Sequence, residues 1–302
     1  MLKIGNLKTY VFKSSITKKS KTPYPYKIRF ALIIMEKIIV GSNEISINKI
    51  MEISKEAGKI ILEIYGRDYK IIQKKSDSFD EGFSPLTEAD TNANKFIIKS
   101  LNGLYPDIPI ISEESSEISF EKRRNWEYFW LIDPLDGTKE FINKNGEFTV
   151  NIALIHKGKP VLGVVYVPVK DTSYYGDILN GSFKKIKNEE PQKLPIKKEK
   201  NSPYVVVASK SHFNEETAKF IENLKKEKGN IELLNVGSSL KLCMVAEGRA
   251  DIYPRLEPCW EWDTAAAHAV VNFAGKKVLE FNKDSELKYN KESLRNPFFI
   301  VK

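Results

Sequence analysis

The run Asp133-Pro134-Leu135-Asp136-Gly137-Thr138 decides the interpretation of this sequence, and it follows directly on an apolar segment, residues 128–132. That segment predicts a buried strand. Because Pro134 fixes its own φ angle and disfavours helix at Asp133, the strand should end there in a tight turn. Asp133 and Asp136 are three residues apart on that turn, so we expect their carboxylates to converge on one point.

The end of the run has the residues of a ligand-binding loop. Gly137 lets the backbone approach a ligand closely, and Thr138 stands where a short helix through Phe141 can begin. Free N–H groups at the start of a helix bind phosphate well. Spacing alone leaves a second interpretation open, in which the run is a plain Asx-type turn followed by a helix cap.

Three further acidic positions lie at the ends of predicted elements. Asp90 lies in the first turn of a helix, Glu113 follows a short apolar strand, and Asp263 opens an Ala-rich helix. Carboxylate oxygens are the ligands that Mg²⁺ prefers, and two such ions about 3.5–4 Å apart can hold both oxygens of a phosphoryl transfer. Taken singly, each acid also has an ordinary explanation as a helix-start charge, a loop charge or an N-cap.

The hydrophobic pattern predicts a mixed fold. Apolar residues at helical spacing indicate helices at residues 48–65, 87–101, 215–226, 239–247 and 263–273. Apolar runs indicate strands at residues 108–111, 128–132, 148–155, 160–167, 204–208 and 277–279. Strands and helices do not alternate strictly in the first half, so we expect an α+β half followed by a more α/β half.

The charge and composition narrow the class of protein. The chain has 302 residues, is 41% hydrophobic and carries a formal net charge of +8, so it can bury a sizeable core. Its lysines are spread along the sequence, which is typical of a solvated surface. No cluster of basic residues with interleaved aromatics lies outside the N-terminal segment, so we expect no specific nucleic-acid partner.

The two cysteines and the absence of a long apolar segment indicate the compartment. Cys243 and Cys259 cannot form a disulfide framework and have no C-x-x-C spacing, which favours a reducing compartment. No stretch reaches the roughly 18–20 apolar residues of a membrane span. We therefore expect a cytoplasmic protein without a transmembrane segment. Its oligomeric state is not readable from the sequence.

The first 35 residues are rich in lysine, with no acid before Glu36. Three alternatives stay open for them: a targeting peptide, a disordered tail, or translation that begins at Met35. Tyrosine and phenylalanine lie among these lysines, so weak peripheral contact with RNA or with the cytoplasmic face of a membrane also stays open. We expect catalysis to survive deletion of residues 1–34.

Several stretches resemble the inositol monophosphatase superfamily. Its two signatures are similar to residues 132–138 and to Trp262-Asp263-Thr264-Ala265-Ala266. The branch of CysQ-type 3'(2'),5'-bisphosphate nucleotidases resembles residues 134–142, 145–154 and 237–241 more closely. The resemblance covers roughly residues 46–302 and departs at Ala267, where the family usually has glycine.

The resemblance implies a layered αβαβα sandwich in three parts. Residues 1–45 are a basic extension that we expect to be disordered. Residues 46–198 are an N-terminal α+β half with an antiparallel sheet and the metal site. Residues 199–302 are a smaller α/β half.

The resemblance also implies roles for individual residues. The implied metal ligands are Glu113, Asp133, the Leu135 carbonyl, Asp136 and Asp263, with Asp133 bridging two magnesium ions. Asp90 and Thr138, with Glu113, are the implied catalytic residues that position or deprotonate the attacking water. The implied substrate-binding residues are Glu113, Leu135, Asp136, Gly137, Thr138, His212, Ser238, Lys241, Arg255 and Asp263.

The implied activity is magnesium-dependent removal of the 3'-phosphate of adenosine 3',5'-bisphosphate in sulfur metabolism, with two or three ions and with lithium as an inhibitor. The related sulfated nucleotide is a second implied substrate. Two other functions stay open. The first is a phosphatase of the same superfamily for inositol monophosphate or a sugar bisphosphate. The second, from another class, is a basic protein that binds nucleic acid or a membrane surface.

Overall fold

The computed structural model of the protein describes residues 37–75, 83–196, 202–209 and 214–302. The strands in these ranges are β1 (Ile38–Val40), β2 (Asn43–Ile45), β3 (Ile71–Lys75), β4 (Phe83–Thr87), β5 (Ile110–Ser112), β6 (Tyr128–Asp136), β7 (Thr149–His156), β8 (Lys159–Val167), β9 (Thr172–Asp177), β10 (Gly181–Ile186), β11 (Gln192–Lys193), β12 (Tyr204–Ala208), β13 (Ile231–Asn235), β14 (Tyr253–Arg255), β15 (Val278–Glu280) and β16 (Phe299–Val301). The helices are α1 (Ile47–Tyr65), α2 (Glu88–Leu104), α3 (Phe120–Arg123), α4 (Thr138–Ile142), α5 (Glu215–Lys228), α6 (Leu240–Glu247) and α7 (Glu261–Phe273).

The largest sheet has the strand order β11-β10-β9-β8-β7-β6-β5. Neighbouring strands are antiparallel, except that β5 runs parallel to β6. Alternate residues of β6 enter two different cores: Phe129 and Leu131 belong to one, Trp130 and Ile132 to the other. Because both faces of the sheet are covered, the sequence of β6 is a continuous apolar run instead of an alternating one.

Helices cover the two faces of this sheet. On one face α1 and α2 pack against each other and against β6 and β8. On the other face α7 lies on β7, β8 and β9, with α6 beside it. Gly163 in β8 permits this close approach, since a Cβ atom there would lie 2.1 Å from the carbonyl oxygen of Ala266 in α7. The alanines of α7 are buried because the helix is packed between two layers.

A second, smaller group of strands lies on the far side of α6 and α7. The parallel pair β12–β13 is joined to the antiparallel order β14-β16-β15 by a bridge between Val206 and Ile252. Helix α5 covers this group with Ile221 and Leu224, which pack on Val206. The layers are therefore helix, sheet, helix, sheet and helix, and the predicted αβαβα sandwich is confirmed.

The N-terminal part of the described chain departs from the expected extension. Residues 38–45 form the hairpin β1–β2, and its Ile38, Val40 and Ile45 are buried in the core beneath α1. Strands of three residues are too short to leave a periodic pattern in the sequence. Residues 1–36, with the expected tail, lie outside the described residues, and so do residues 197–201, where the two halves were expected to meet.

None of the helices in the described ranges has both the length and the apolar character that a membrane crossing requires.

Candidate active site

A β-bulge at the end of β6 brings Asp133 and Asp136 to the same face. Asp133 pairs with Asn151 of β7, and Asp136 pairs with Thr149, so three steps along β6 match two steps along β7. One extra residue is therefore inserted into β6. Residues three apart on a regular strand point to opposite faces, and the bulge cancels that difference. The prediction of convergence is confirmed in geometry, but the run is a bulged strand end where a tight turn was expected.

The other acids reach the same cleft from different elements. A cavity of about 240 Å³ is lined by Glu113, Asp133, Asp136 and Asp263 together with the backbone of the bulge. Glu113 follows β5, and its N–H donates to the carbonyl oxygen of Ile132 at 3.1 Å. Asp263 lies in the first turn of α7 and accepts a hydrogen bond from the Trp260 N–H at 2.8 Å. Asp263 can therefore bond the start of α7 and line the cleft at the same time.

Leu135 contributes both to the hydrophobic core and to the lining of the cleft. Its side chain is buried in the core under α1 and α2, while the residue also lines the cleft. Its carbonyl oxygen lies 3.5 Å from the Thr138 hydroxyl oxygen, and its N–H donates to Asp133 at 3.0 Å. The carbonyl oxygen is therefore available as a candidate ligand beside the carboxylates.

Burial and mutual repulsion act on these carboxylates. Burial raises the pKa of Asp133 well above its ordinary value, and the negative charges of Glu113, Asp136 and Asp263 raise it further. Burial and the charge of Asp136 raise the pKa of Asp263 in the same way. A divalent cation would relieve both effects, because it replaces lost hydration and offsets the repulsion.

The candidate donors, carboxylates and one carbonyl, are oxygen ligands of the kind that magnesium prefers. Within residues 37–75, 83–196, 202–209 and 214–302, no three acidic, histidine or cysteine side chains are already arranged as a metal cage. The carboxylates instead accept hydrogen bonds from the backbone at Leu135, Ser239 and Trp260. Ligation by these residues therefore stays a proposal.

Asp90 and Thr138 form a hydrogen-bonded pair beside the cleft. Thr87 caps α2, and its N–H and hydroxyl both donate to Asp90 Oδ2, at 2.8 and 2.5 Å. The Thr138 hydroxyl donates to Asp90 Oδ1 at 3.2 Å. Burial raises the pKa of Asp90 to about 6, although the hydrogen bonds from Thr87 oppose this shift. Asp90 is therefore both a helix-start acid and a group whose pKa suits proton transfer near neutral pH.

Part of the cleft lining, here called the cationic wall, is positively charged and lies near Asp136 and Asp263. Lys241 at the start of α6 and Arg255 at the end of β14 both line the cavity. Lys241 donates to the carbonyl oxygen of Ser238 at 2.7 Å, and burial together with the charge of Arg255 lowers its pKa to about 8. Arg255 donates to the carbonyl oxygen of Pro258 at 3.1 Å, and its buried Nε has no hydrogen-bond partner among the described residues. This wall suits an anionic group of a substrate.

The structure places most of the predicted site residues in one cleft. Glu113, Asp133, Leu135, Asp136, Gly137, Thr138, Ser238, Lys241, Arg255 and Asp263 line it. Asp90 reaches it through Thr138. His212 lies outside the described residues.

Three polar residues of the site had no predicted role. Thr149, Asn151 and Ser239 are buried against Asp136, and the Ser239 N–H donates to Asp136 Oδ2 at 2.5 Å. Thr149 and Asn151 interrupt an otherwise apolar strand, which is the signal in the sequence that something polar must face them. Their partner Ser239 comes from a distant part of the chain, so only the fold identifies the contact.

Comparisons with known proteins agree with this geometry. The Inositol monophosphatase family matches residues 44–297. The 3'(2'),5'-bisphosphate nucleotidase CysQ of Salmonella typhimurium is 42% identical over 258 residues, which cover 84% of this chain and 98% of that protein. The crystal structure of CysQ from Bacteroides thetaiotaomicron aligns with a TM-score of 0.74 at 42% identity and covers 84% of this chain and 96% of the other. A Thermotoga maritima IMPase aligns with a TM-score of 0.64 at 25% identity, over 84% of this chain and 90% of the other.

Proposed function

This chain belongs to the inositol monophosphatase family, and from that premise we propose that it is a magnesium-dependent 3'(2'),5'-bisphosphate nucleotidase. Its reaction is hydrolysis of the 3'-phosphate of adenosine 3',5'-bisphosphate to AMP and phosphate. The observation that carries the proposal is the division of one cleft into an acidic wall and a cationic wall. The acidic wall holds Asp133, Asp136 and Asp263, and the cationic wall holds Lys241 and Arg255.

The acidic wall is the proposed metal site. Glu113, Asp133, the Leu135 carbonyl, Asp136 and Asp263 would hold two or three magnesium ions. Bound magnesium supplies Lewis-acid charge and lowers the pKa of water for attack on a phosphate. These residues would keep this charge next to the phosphoryl group, because three elements of the fold, β5, β6 and α7, fix their positions.

Asp90 and Thr138 are the proposed proton-transfer pair. The Thr138 hydroxyl donates to Asp90 and can therefore accept a hydrogen bond from a water molecule in the cleft. When that water loses its proton, the carboxylate of Asp90 is the acceptor at the end of the chain of hydrogen bonds. A pKa near 6 keeps Asp90 ionised, and thus able to accept, at neutral pH.

The cationic wall favours a bisphosphate over a monophosphate. The first phosphate lies against the acidic wall and the metals, so it does not need Lys241 and Arg255. A second anionic group on the substrate would offset the mutual repulsion of these two cations and would bond the partnerless Nε of Arg255. Inositol monophosphate has no second phosphate to place there. The substrate is thus a small nucleotide, and we propose no nucleic-acid partner.

Both cysteines are free and buried, which suits a reducing compartment, and we propose the cytoplasm as the location. Peripheral contact with a membrane would involve the segment that lies outside the described residues, and nothing in the described part supports it.

A substrate panel tests the function. Phosphate release should be measured with adenosine 3',5'-bisphosphate, its sulfated relative, inositol 1-phosphate and fructose 1,6-bisphosphate, with and without millimolar magnesium. We expect the highest kcat/KM for adenosine 3',5'-bisphosphate, and no release without magnesium or in Asp133→Asn. A higher kcat/KM for inositol 1-phosphate would replace the proposal with an inositol monophosphatase. No release from any substrate would refute the phosphatase function itself.

A further inference from the structure

Three buried side chains join the Asp136 carboxylate to the loop of residues 236–239. Thr149 and Asn151 are alternate residues of β7, so both face the cleft side of the sheet. Thr149 is opposite Asp136 in the register, and Ser239 approaches from the beginning of α6. The three residues are 0%, 1% and 2% exposed, so water cannot satisfy their polar atoms.

The hydrogen bonds of this group converge on the Asp136 carboxylate and the Asn151 amide oxygen. Asn151 Nδ2 donates to Asp136 Oδ2 at 3.4 Å, and the Ser239 hydroxyl donates to Asn151 Oδ1 at 3.0 Å. The hydroxyl oxygens of Thr149 and Ser239 are 2.9 Å apart. The Thr149 hydroxyl oxygen also lies 3.2 Å from Asn151 Oδ1 and 3.5 Å from Asp136 Oδ2, so it can donate to these acceptors as well as to Ser239. The three side chains therefore bond one another and reach the carboxylate through Asn151 and through Thr149.

The shape of the 236–239 loop depends on further contacts with Asp136, Glu147 and Lys241. Ser238 has a φ angle of 49°, a backbone conformation that residues other than glycine rarely adopt. The Ser239 N–H donates to Asp136, and the Gly237 N–H donates to Glu147 at 3.0 Å. The carbonyl oxygens of Val236 and Ser238 in turn bind the ammonium group of Lys241. A change at Asp136 is thus linked to the position of Lys241.

We propose that Thr149, Asn151 and Ser239 are positioning residues that hold the Asp136 carboxylate and the 236–239 loop in one arrangement, so that magnesium affinity depends on them. The inference rests on the proposed function only where that function assigns Asp136 to the metal. Thr149 does not line the cleft, and its hydroxyl reaches the proposed metal site through a long 3.5 Å contact with Asp136 and through Asn151 and Ser239.

The test compares hydroxyl deletion with hydroxyl retention at Thr149. Thr149→Val keeps the shape of the side chain and removes its hydroxyl, while Thr149→Ser keeps the hydroxyl. Magnesium binding to the full-length variants is measured by calorimetric titration without substrate. In Thr149→Val we expect affinity about 5- to 30-fold weaker than in the wild type, because Asp136, Asn151 and Ser239 each lose the hydroxyl as a hydrogen-bond partner and the carboxylate is held less firmly. Thr149→Ser should stay within about threefold.

Thr172→Val in β9 is the matched control, since the hydroxyl of this buried threonine bonds only the Lys170 carbonyl in the described structure. It should bind magnesium like the wild type. A Thr149→Val protein with a lower melting temperature and wild-type magnesium affinity would show a purely structural role and overturn the inference. If that variant does not fold, Ser239→Ala removes the other hydroxyl of the group. Weaker magnesium binding by Ser239→Ala supports the inference, and unchanged binding refutes it. An inactive wild type would count against the nucleotidase function instead, while the titrations would still decide the role of Thr149.

Discussion

Replacing Asp90 with asparagine should raise the stability of the metal-free protein at pH 8 and remove most of its catalytic activity. The carboxyl group is 2% exposed, and burial raises its pKa from 3.8 to about 6. The folded protein therefore binds this proton more tightly than the unfolded chain does. The free energy of unfolding must then fall as the pH rises from about 4 to about 6.

The size of this effect follows from the pKa. The difference between about 6 and 3.8 is about 2 units, and at 1.36 kcal/mol per unit it corresponds to about 3 kcal/mol. Asparagine carries no charge, so its folded state avoids this loss. Its amide oxygen can still accept from the Thr87 N–H, and its amide nitrogen can donate to the Thr138 hydroxyl. Weaker hydrogen bonds at Thr87 offset part of the gain, so we expect a net stabilisation of about 1–3 kcal/mol at pH 8.

Urea unfolding of metal-free wild type and Asp90→Asn between pH 4 and pH 8 measures this difference, and phosphate release measures activity. The stability difference should grow with pH up to about 6 and then stay constant. Turnover should fall by about 10²–10⁴. Asp107→Asn, at an exposed position of the same charge, should change neither quantity. A variant that is less stable than the wild type at pH 8 would refute the burial argument, and retained turnover would refute the role of Asp90 as proton acceptor.

Three further substitutions test other parts of the structure. In Asp133→Asn, the rise in melting temperature on adding magnesium should disappear together with turnover; a preserved rise would remove Asp133 from the metal site. Lys241→Met should raise KM about 10- to 100-fold for a nucleotide bisphosphate and much less for a monophosphate, because it removes one charged partner of the second phosphate. Equal changes in KM for the two substrates would contradict this assignment. Gly163→Ala places a Cβ 2.1 Å from the Ala266 carbonyl oxygen and should lower the free energy of unfolding by about 1–3 kcal/mol, whereas Gly103→Ala, with open space around it, should not; chemical denaturation measures both.

Long elements were predictable because their signal is local. The spacing of isoleucines in residues 48–65 indicated α1, and the apolar spacing in residues 87–101 indicated α2, which Thr87 caps through a capping box with Asp90. The hairpin β1–β2 escaped prediction because strands of three residues carry no period. Its contribution to the fold is the burial of Ile38, Val40 and Ile45, which depends on α1 being in place.

The candidate site was predictable in its residues and less so in its geometry. The acids were identified by residue type, by position at the ends of elements and by family resemblance. The predicted form of residues 133–136, a tight turn, was wrong. The bulge depends on the register between β6 and β7, and register is a long-range property. The contact between Ser239 and Thr149 spans 90 residues of sequence, so no local pattern could reveal it.

The extra residue in β6 makes the pairing of this segment with β7 as important as its composition. If β6 kept its length but paired with β7 without the bulge, Asp136 would turn towards the apolar core beneath α1 and α2. A carboxylate there would meet Trp130 and Ile152 and would lose Ser239 as a donor. Conservative substitutions in this segment change one side chain each, whereas loss of the bulge would exchange the cleft side and the core side of every residue that follows it in the strand.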